Sequence, residues 1–157
     1  MKKIAIINQR YGLEVNGGSE YYTRLIAERL SERYQVEVLT TCALDYNTWK
    51  NYYPVRRFKV NKERNIHKFR IVSKLVRSTH FMNACFENYW VKEQGPYSPD
   101  LIQYIEEKTN YYDVFLFVTY LYYTTACGLK KVAEKSILIP TAHDEPYIYF
   151  KTYQKIF

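Results

Sequence analysis

The stretch from Arg10 to Tyr22, RYGLEVNGGSEYY, follows the apolar run Ile4-Ala5-Ile6-Ile7 and leads straight into a helical pattern. Gly12, Gly17, Gly18 and Ser19 fit G-x4-G-G-S, close to a phosphate-binding loop. The nucleotide-hydrolase form of that loop needs a lysine where Gly18 stands, to neutralise the outer phosphates. The dinucleotide fingerprint G-x-G-x-x-G also fails, because Gly12 and Gly17 are too far apart. Two adjacent glycines at a helix N-terminus still have a use: they let backbone N–H groups approach an anion closely. The plainer alternative is that Gly17-Gly18 only turns the chain into its helix.

A second group stands in TAHDEP, Thr141 to Pro146, where His143 and Asp144 follow an apolar strand pattern. They suit either a ligand site or a simple helix cap. Tyr120, Tyr122 and Tyr123 follow the most apolar run of the chain and can stack on a sugar ring, or pack against the sheet. His67 and His80 fall in basic, surface-type helices. Cys42, Cys85 and Cys127 are scattered and odd in number, which argues for reduced thiols and against a disulfide framework or zinc site. No Asp-x-Asp pair is present to hold a metal.

Positioning these residues requires a fold, and 157 residues suffice for one domain. The hydrophobic share of 47% excludes a disordered chain, and no stretch approaches a membrane span. Met1-Lys2-Lys3 enters only four apolar residues, so no secretory signal is expected and the expected location is the cytoplasm. The net charge of +7 is localised: Arg56 to Arg77 holds nine Lys/Arg and one acid, against fourteen basic and fifteen acidic residues elsewhere. Such a segment points to an anionic partner.

Lys3 to Asn8 reads as a buried strand. Ser19 is placed to cap the following helix, with Glu20 at the positive end of its dipole and Tyr22, Leu25, Ile26 and Leu30 on the packed face, to about Arg33. Val36 to Thr40 is a second strand, so the first forty residues form a βαβ unit. After a polar, aromatic loop over 45–54 comes a strand from Val55 to Val60. A mostly helical region spans Ile66 to Tyr89, and a helix runs from Leu101 to Lys108 behind a Ser98-Pro99-Asp100 start. Asp113 to Thr119 reads as a central parallel strand, followed by a helix near Thr124 to Glu134 and a strand from Ile137 to Pro140. The expected class is α/β, a Rossmann-like open parallel sheet with helices on both faces, its ligand loops at the strands' carboxyl ends.

Taken in order, NGGSEYYTRLIAERL, TCALDYNTW, QGPYSPDL, YLYYTT and TAHDEP resemble the N-terminal domain of glycosyltransferase family 4, retaining enzymes of the GT-B fold. The resemblance covers nearly the whole chain. It implies sugar transfer from a nucleotide-sugar in a cleft between this acceptor-side domain and a second Rossmann-like domain. That second domain, with most donor contacts, lies outside these 157 residues, so the chain alone is expected to be inactive. The resemblance further implies that Gly17 and Gly18 approach the donor diphosphate and that His143 lies near the transferred sugar, with Asp144 orienting it or binding acceptor. Tyr120, Tyr122 and Glu145 become candidate sugar or acceptor contacts, with no metal or other cofactor required. Glu20 and Glu28 copy an E-x7-E spacing common in retaining transferases, but that pair belongs to the other domain; here Glu28 is expected to pair with Arg24 on the solvent side.

On a helical wheel, Arg70, Lys74 and Arg77 share one side of Ile66 to Ser78, and Phe69, Val72, Leu75 and Val76 another. A solvated basic face and a contact with an anionic membrane both fit. A basic nucleic-acid-binding module and another Rossmann-type nucleotide binder are the rival functions. The former is disfavoured because the cations lack interleaved aromatic residues.

Overall fold

The order β3-β2-β1-β4-β5, every pairing parallel, places β1 and β4 at the centre of a five-stranded sheet. The strands are β1 (Lys3–Ile7), β2 (Gln35–Thr41), β3 (Val55–Phe58), β4 (Val114–Val118) and β5 (Ser136–Ile139). The helices are α1 (Gly18–Ser31), α2 (Ile66–Ser78), α3 (Ala84–Gln94), α4 (Pro99–Glu107), α5 (Tyr123–Gly128) and α6 (Lys151–Gln154). A computed structural model describes residues 1–12, 15, 17–43, 54–62, 64–78 and 84–157. Within the loop over 45–54 only Pro54 is described, and His80 and the side chain of Arg77 lie outside the described residues.

Alternation along the strands separates two cores. Ile4, Ile6, Val36, Val38, Leu116 and Val118 face α1 through Ala27, with Ile26 and Leu30 half-buried beside them. Ala5, Ile7, Leu39, Phe115 and Phe117 face the other way and meet side chains from α2 to α6. A parallel sheet must cover both faces, which is why β1 and β4 read as continuous apolar runs.

The larger core is centred on Trp90, fully buried on α3. Its ring stacks on Tyr147 at 4.4 Å, meets Phe150 edge-on at 5.3 Å and lies 5.6 Å from Phe69. Its indole N–H donates to Ser73 Oγ at 2.9 Å. Nearby, the buried carboxylate of Glu87 accepts from the Lys151 and Thr152 amides at 3.1 and 2.8 Å and from Thr152 Oγ1 at 2.9 Å. It thereby caps the first turn of α6 from another helix, satisfying amides that no local side chain reaches.

Four expectations change. Gly17, not Ser19, holds the N-cap of α1; Ser19 lies inside the first turn and donates to Glu20 at 2.7 Å. On the same helix Tyr22 and Leu25 are exposed, while Glu20, Thr23 and Ala27 are buried, because the helix meets the sheet with its small and polar edge. On α2 Leu75 is 50% exposed and Ser73 takes the buried position, drawn inward by Trp90. The helix expected over Thr124 to Glu134 stops at Gly128 and continues as 3₁₀ turns at Leu129–Lys131 and Ala133–Lys135. A Cβ at Gly128 would sit 3.0 Å from Ile105 and 3.1 Å from Phe117, so a larger residue there would have to push these side chains aside by a few tenths of an ångström.

Trp90→Ala is expected to cost about 3–5 kcal/mol, since it opens a cavity at the junction of α2, α3 and the C-terminal segment. Urea unfolding midpoints measure this, and a loss below about 1 kcal/mol would show that the aromatic cluster does not anchor that junction.

Candidate functional site

The carboxyl ends of β1 and β4 diverge into loops on one edge of the sheet, where an open parallel fold receives its ligands. Asn8 leaves β1 with its amide donating to Thr23 Oγ1 at 2.6 Å, while Thr41 Oγ1 at the end of β2 donates to the Gln9 carbonyl at 2.6 Å. These bonds fix the path of the chain into the glycine turn.

Glu20 determines that turn's chemistry. Its carboxylate is buried and accepts from Gln9 Nε2 at 2.9 Å, Arg10 Nε and Nη2 at 3.1 and 2.8 Å, and Ser19 Oγ at 2.7 Å. Charge-assisted contacts of this kind offset the desolvation of a buried carboxylate. The same carboxylate lies against Gly17, where an added Cβ would be 2.0 Å from Oε2. A Cβ on Gly18 would meet nothing within 4 Å. The N-terminus of α1 therefore already holds an anion of its own chain on the Gly17 side and is open at Gly18. Glu20 was legible in the sequence only as a first-turn acid. Glu28 is half-buried, and among the described residues it forms no ion pair with Arg24, whose guanidinium stacks over Tyr21 at 5.1 Å.

Two β-branched residues adopt left-handed backbone conformations at neighbouring strand ends: Thr119 after β4, with φ 72°, and Thr141 after β5, with φ 46°. Their hydroxyls hydrogen-bond at 3.0 Å. Such conformations cost about 1–2 kcal/mol each and concentrate where loops are shaped for a ligand.

Tyr120 is buried beneath this pair, edge-on to Tyr153 at 5.0 Å, and its hydroxyl donates to Glu145 at 2.5 Å. Burial first, then the bond to Glu145, pushes its hydroxyl well above the ordinary tyrosine range. Of the two readings open for Tyr120, the structure shows packing: the ring lies in the core and its hydroxyl holds Glu145. His143 and Asp144 are exposed on the following loop. Asp144 accepts from Tyr149 at 2.9 Å and has no recorded bond to His143, and the 3₁₀ turn at Pro146–Tyr149 has Glu145 at its cap. Neither residue caps a helix here.

This edge carries a cleft of about 490 Å³ lined by Gln9 and Arg10 beyond β1, Lys59, Lys62 and Arg64 beyond β3, Gln94, and Tyr122 beyond β4. Lys62 is held by a bridge to Tyr97 and pairs with the buried Glu93. Arg64 donates to Gln94 Oε1 at 3.0 Å and lies 3.9 Å over Phe69. Tyr122 stands within the fields of Arg10, Glu20, Arg64 and Glu145, and burial raises its hydroxyl above the usual range. Arg10, Lys59, Lys62 and Arg64 were not singled out individually from the sequence; the charge excess after Arg56 was their signal. Arg70 and Lys74 are exposed on α2 and are not among the cleft's lining residues. Among the described residues no group of three or more His, Cys, Asp or Glu side chains is placed to hold a metal ion.

Burial works to raise the Glu93 carboxyl, but the hydrogen bond and charge of Lys62 outweigh it, so Glu93 is held below the usual range while Lys62 is raised. A lowered carboxyl contributes stability that is complete above its ordinary value of 4.5 and is lost as pH falls through the folded value. Glu93→Gln is accordingly expected to flatten the acid limb of the stability profile, measured as urea midpoints across the acid range. An unchanged acid limb would exclude the pair as its source. No family model, curated protein or solved structure matches this chain.

Proposed function

We propose that the chain is the acceptor-side, Rossmann-like domain of a retaining glycosyltransferase that takes a nucleotide-sugar as donor and uses no metal or other cofactor. The observation that supports this best is the cationic cleft at the carboxyl edge, bordered by Tyr122 beyond β4. Cations fixed in a concave site neutralise phosphate charge before the reaction begins, and an aromatic border suits a sugar face.

In this proposal Gly18, not Gly17, offers its open backbone to the donor diphosphate, since Glu20 covers Gly17. His143 reaches a hydroxyl of the transferred sugar from its exposed loop, while Asp144 stays with Tyr149. Tyr120 acts through Glu145, which it holds toward the acceptor. A second Rossmann-like domain closes the cleft, excludes water and supplies the remaining donor contacts.

The nucleic-acid alternative is less well supported. Arg56 is engaged with Glu37 at 2.9 Å, Arg57 with the Tyr11 carbonyl at 3.2 Å, and Lys62 with Glu93. The cations of the basic segment are thus divided among pairs within the fold, the cleft and the exposed face of α2, an arrangement that favours a single strip for a strand less than separate sites.

The membrane proposal concerns α2. Arg70 and Lys74 are exposed beside Ile71, 61% exposed, and Leu75. Among the described residues no helix is long and apolar enough to cross a membrane. A basic face with two apolar side chains suits reversible contact with an anionic leaflet, each cation adding about 1 kcal/mol.

Two outcomes test these proposals. The 157-residue chain is expected to turn over no nucleotide-sugar, and the protein extended by a second Rossmann-like domain to do so. In the extended protein His143→Ala should lower kcat about 10–100-fold with the melting temperature unchanged. An unchanged rate with lower melting temperature would remove His143 from the site. In flotation, the chain should rise with anionic but not neutral vesicles, less so at moderate salt. Arg70→Glu with Lys74→Glu should abolish the difference, and equal recovery on both lipids would refute the electrostatic contact.

A further inference from the structure

The charges lining the cleft are only partly compensated. Four of its lining side chains, Arg10, Lys59, Lys62 and Arg64, are cationic, and none of the described lining residues is acidic. Arg10 is answered by Glu20 and Lys62 by Glu93. Among the described residues neither Arg64, which donates to the neutral amide of Gln94 and lies over Phe69, nor Lys59 meets a carboxylate. Two cations thus converge from one short segment beyond β3, facing Arg10 across a concavity of small-molecule size.

The backbone holds them there. Asn61 N donates to the Tyr97 carbonyl at 2.9 Å, and the bridge between Lys62 and Tyr97 ties the segment to the turn between α3 and α4. Lys59 and Arg64 line one concavity with no acidic side chain among its described lining residues, and a bound anion would relieve the repulsion of like charges gathered there. At the N-terminus of α1 Glu20 already lies against Gly17, so that end is open only on its Gly18 side.

We propose that this cleft seats a phosphate or diphosphate group carried by the acceptor, with Lys59 and Arg64 as its principal cations, Arg10 facing them, and Tyr122 flanking the sugar beyond it. The acceptor would then be a phosphorylated sugar or a diphosphate-linked one, as distinct from a neutral glycan. The inference rests on the transferase proposal for the word acceptor, while the anion site itself stands on the cleft.

The experiment uses the 157-residue chain with inorganic pyrophosphate, a hexose 1-phosphate, the free hexose and uridine diphosphate as probes. Affinities come from calorimetry and locations from amide chemical shifts. Pyrophosphate and the hexose phosphate should bind, the free hexose should not, and the shifts should centre on Ala43, Val60 and Tyr122. Lys59→Glu with Arg64→Glu should weaken binding at least about tenfold, as should the milder Lys59→Gln with Arg64→Gln. Lys130→Glu, an exposed charge outside the cleft, should change it little. Equal binding by the double variants, equal weakening by Lys130→Glu, or shifts centred on Gly18 would overturn the proposal. Uridine diphosphate binding more than about tenfold tighter than pyrophosphate would also overturn it, because the site would then read a nucleotide. Pyrophosphate binding in the cleft of a protein that transfers no sugar would leave the anion site standing and remove the transferase proposal. Transfer without such binding would remove only the phosphorylated acceptor.

Discussion

A carboxylate removed from water must be answered by donors, and at Glu20 that requirement organises the end of the sheet where ligands are expected. Gln9, Arg10 and Ser19 all turn toward it, so the last residues of β1 and the first turn of α1 are fixed by one group. Arg10 is thereby aimed at the cleft, and a side chain at Gly17 would have to displace Glu20 Oε2. Removing such a partner from buried charge is among the more damaging changes a fold can suffer. The glycine pair therefore serves two ends: Gly17 admits an internal anion, and Gly18 leaves backbone open.

Two further buried glutamates extend the same logic. Glu87 caps α6 and draws the C-terminal segment onto α3, where Trp90 packs against Tyr147 and Phe150. Glu93 pairs with Lys62 and holds the segment beyond β3 against α3. Each carboxylate joins elements distant in the chain. The edge is consequently built from loops whose backbones are tied down, a condition for presenting charge in a fixed arrangement.

The cleft and the TAHDEP loop divide the chemistry. Cations gather beyond β1 and β3, while the strained Thr119 and Thr141, the Tyr120–Glu145 pair and exposed His143 occupy the ends of β4 and β5. Tyr122 lies between, in the fields of Arg10 and Glu145 alike.

The class of the fold was legible because strands and parallel pairing follow from short-range pattern. The apolar runs at Ile4 to Ile7 and Val114 to Val118 announce strands buried on both faces, and turn and cap residues separate them from helices. The charge excess between Arg56 and Arg77 is local in the sequence, and three of its cations, Lys59, Lys62 and Arg64, line the cleft. Local pattern failed where the answer depended on a distant partner. Periodicity put Leu75 inside, but the indole of Trp90 drew Ser73 there instead. Ser19 looked like a cap, yet Glu20 folded back over Gly17 and claimed its hydroxyl. Tyr120 looked like a stacking ring until Tyr153 and Glu145 enclosed it. Arg10 meets Lys59 and Arg64 only because parallel pairing stacks β1, β2 and β3 in one register and brings their carboxyl ends together. Which side chains share that cleft is a property of long-range strand pairing and of the buried carboxylates that fix it, and no window along the chain contains both halves.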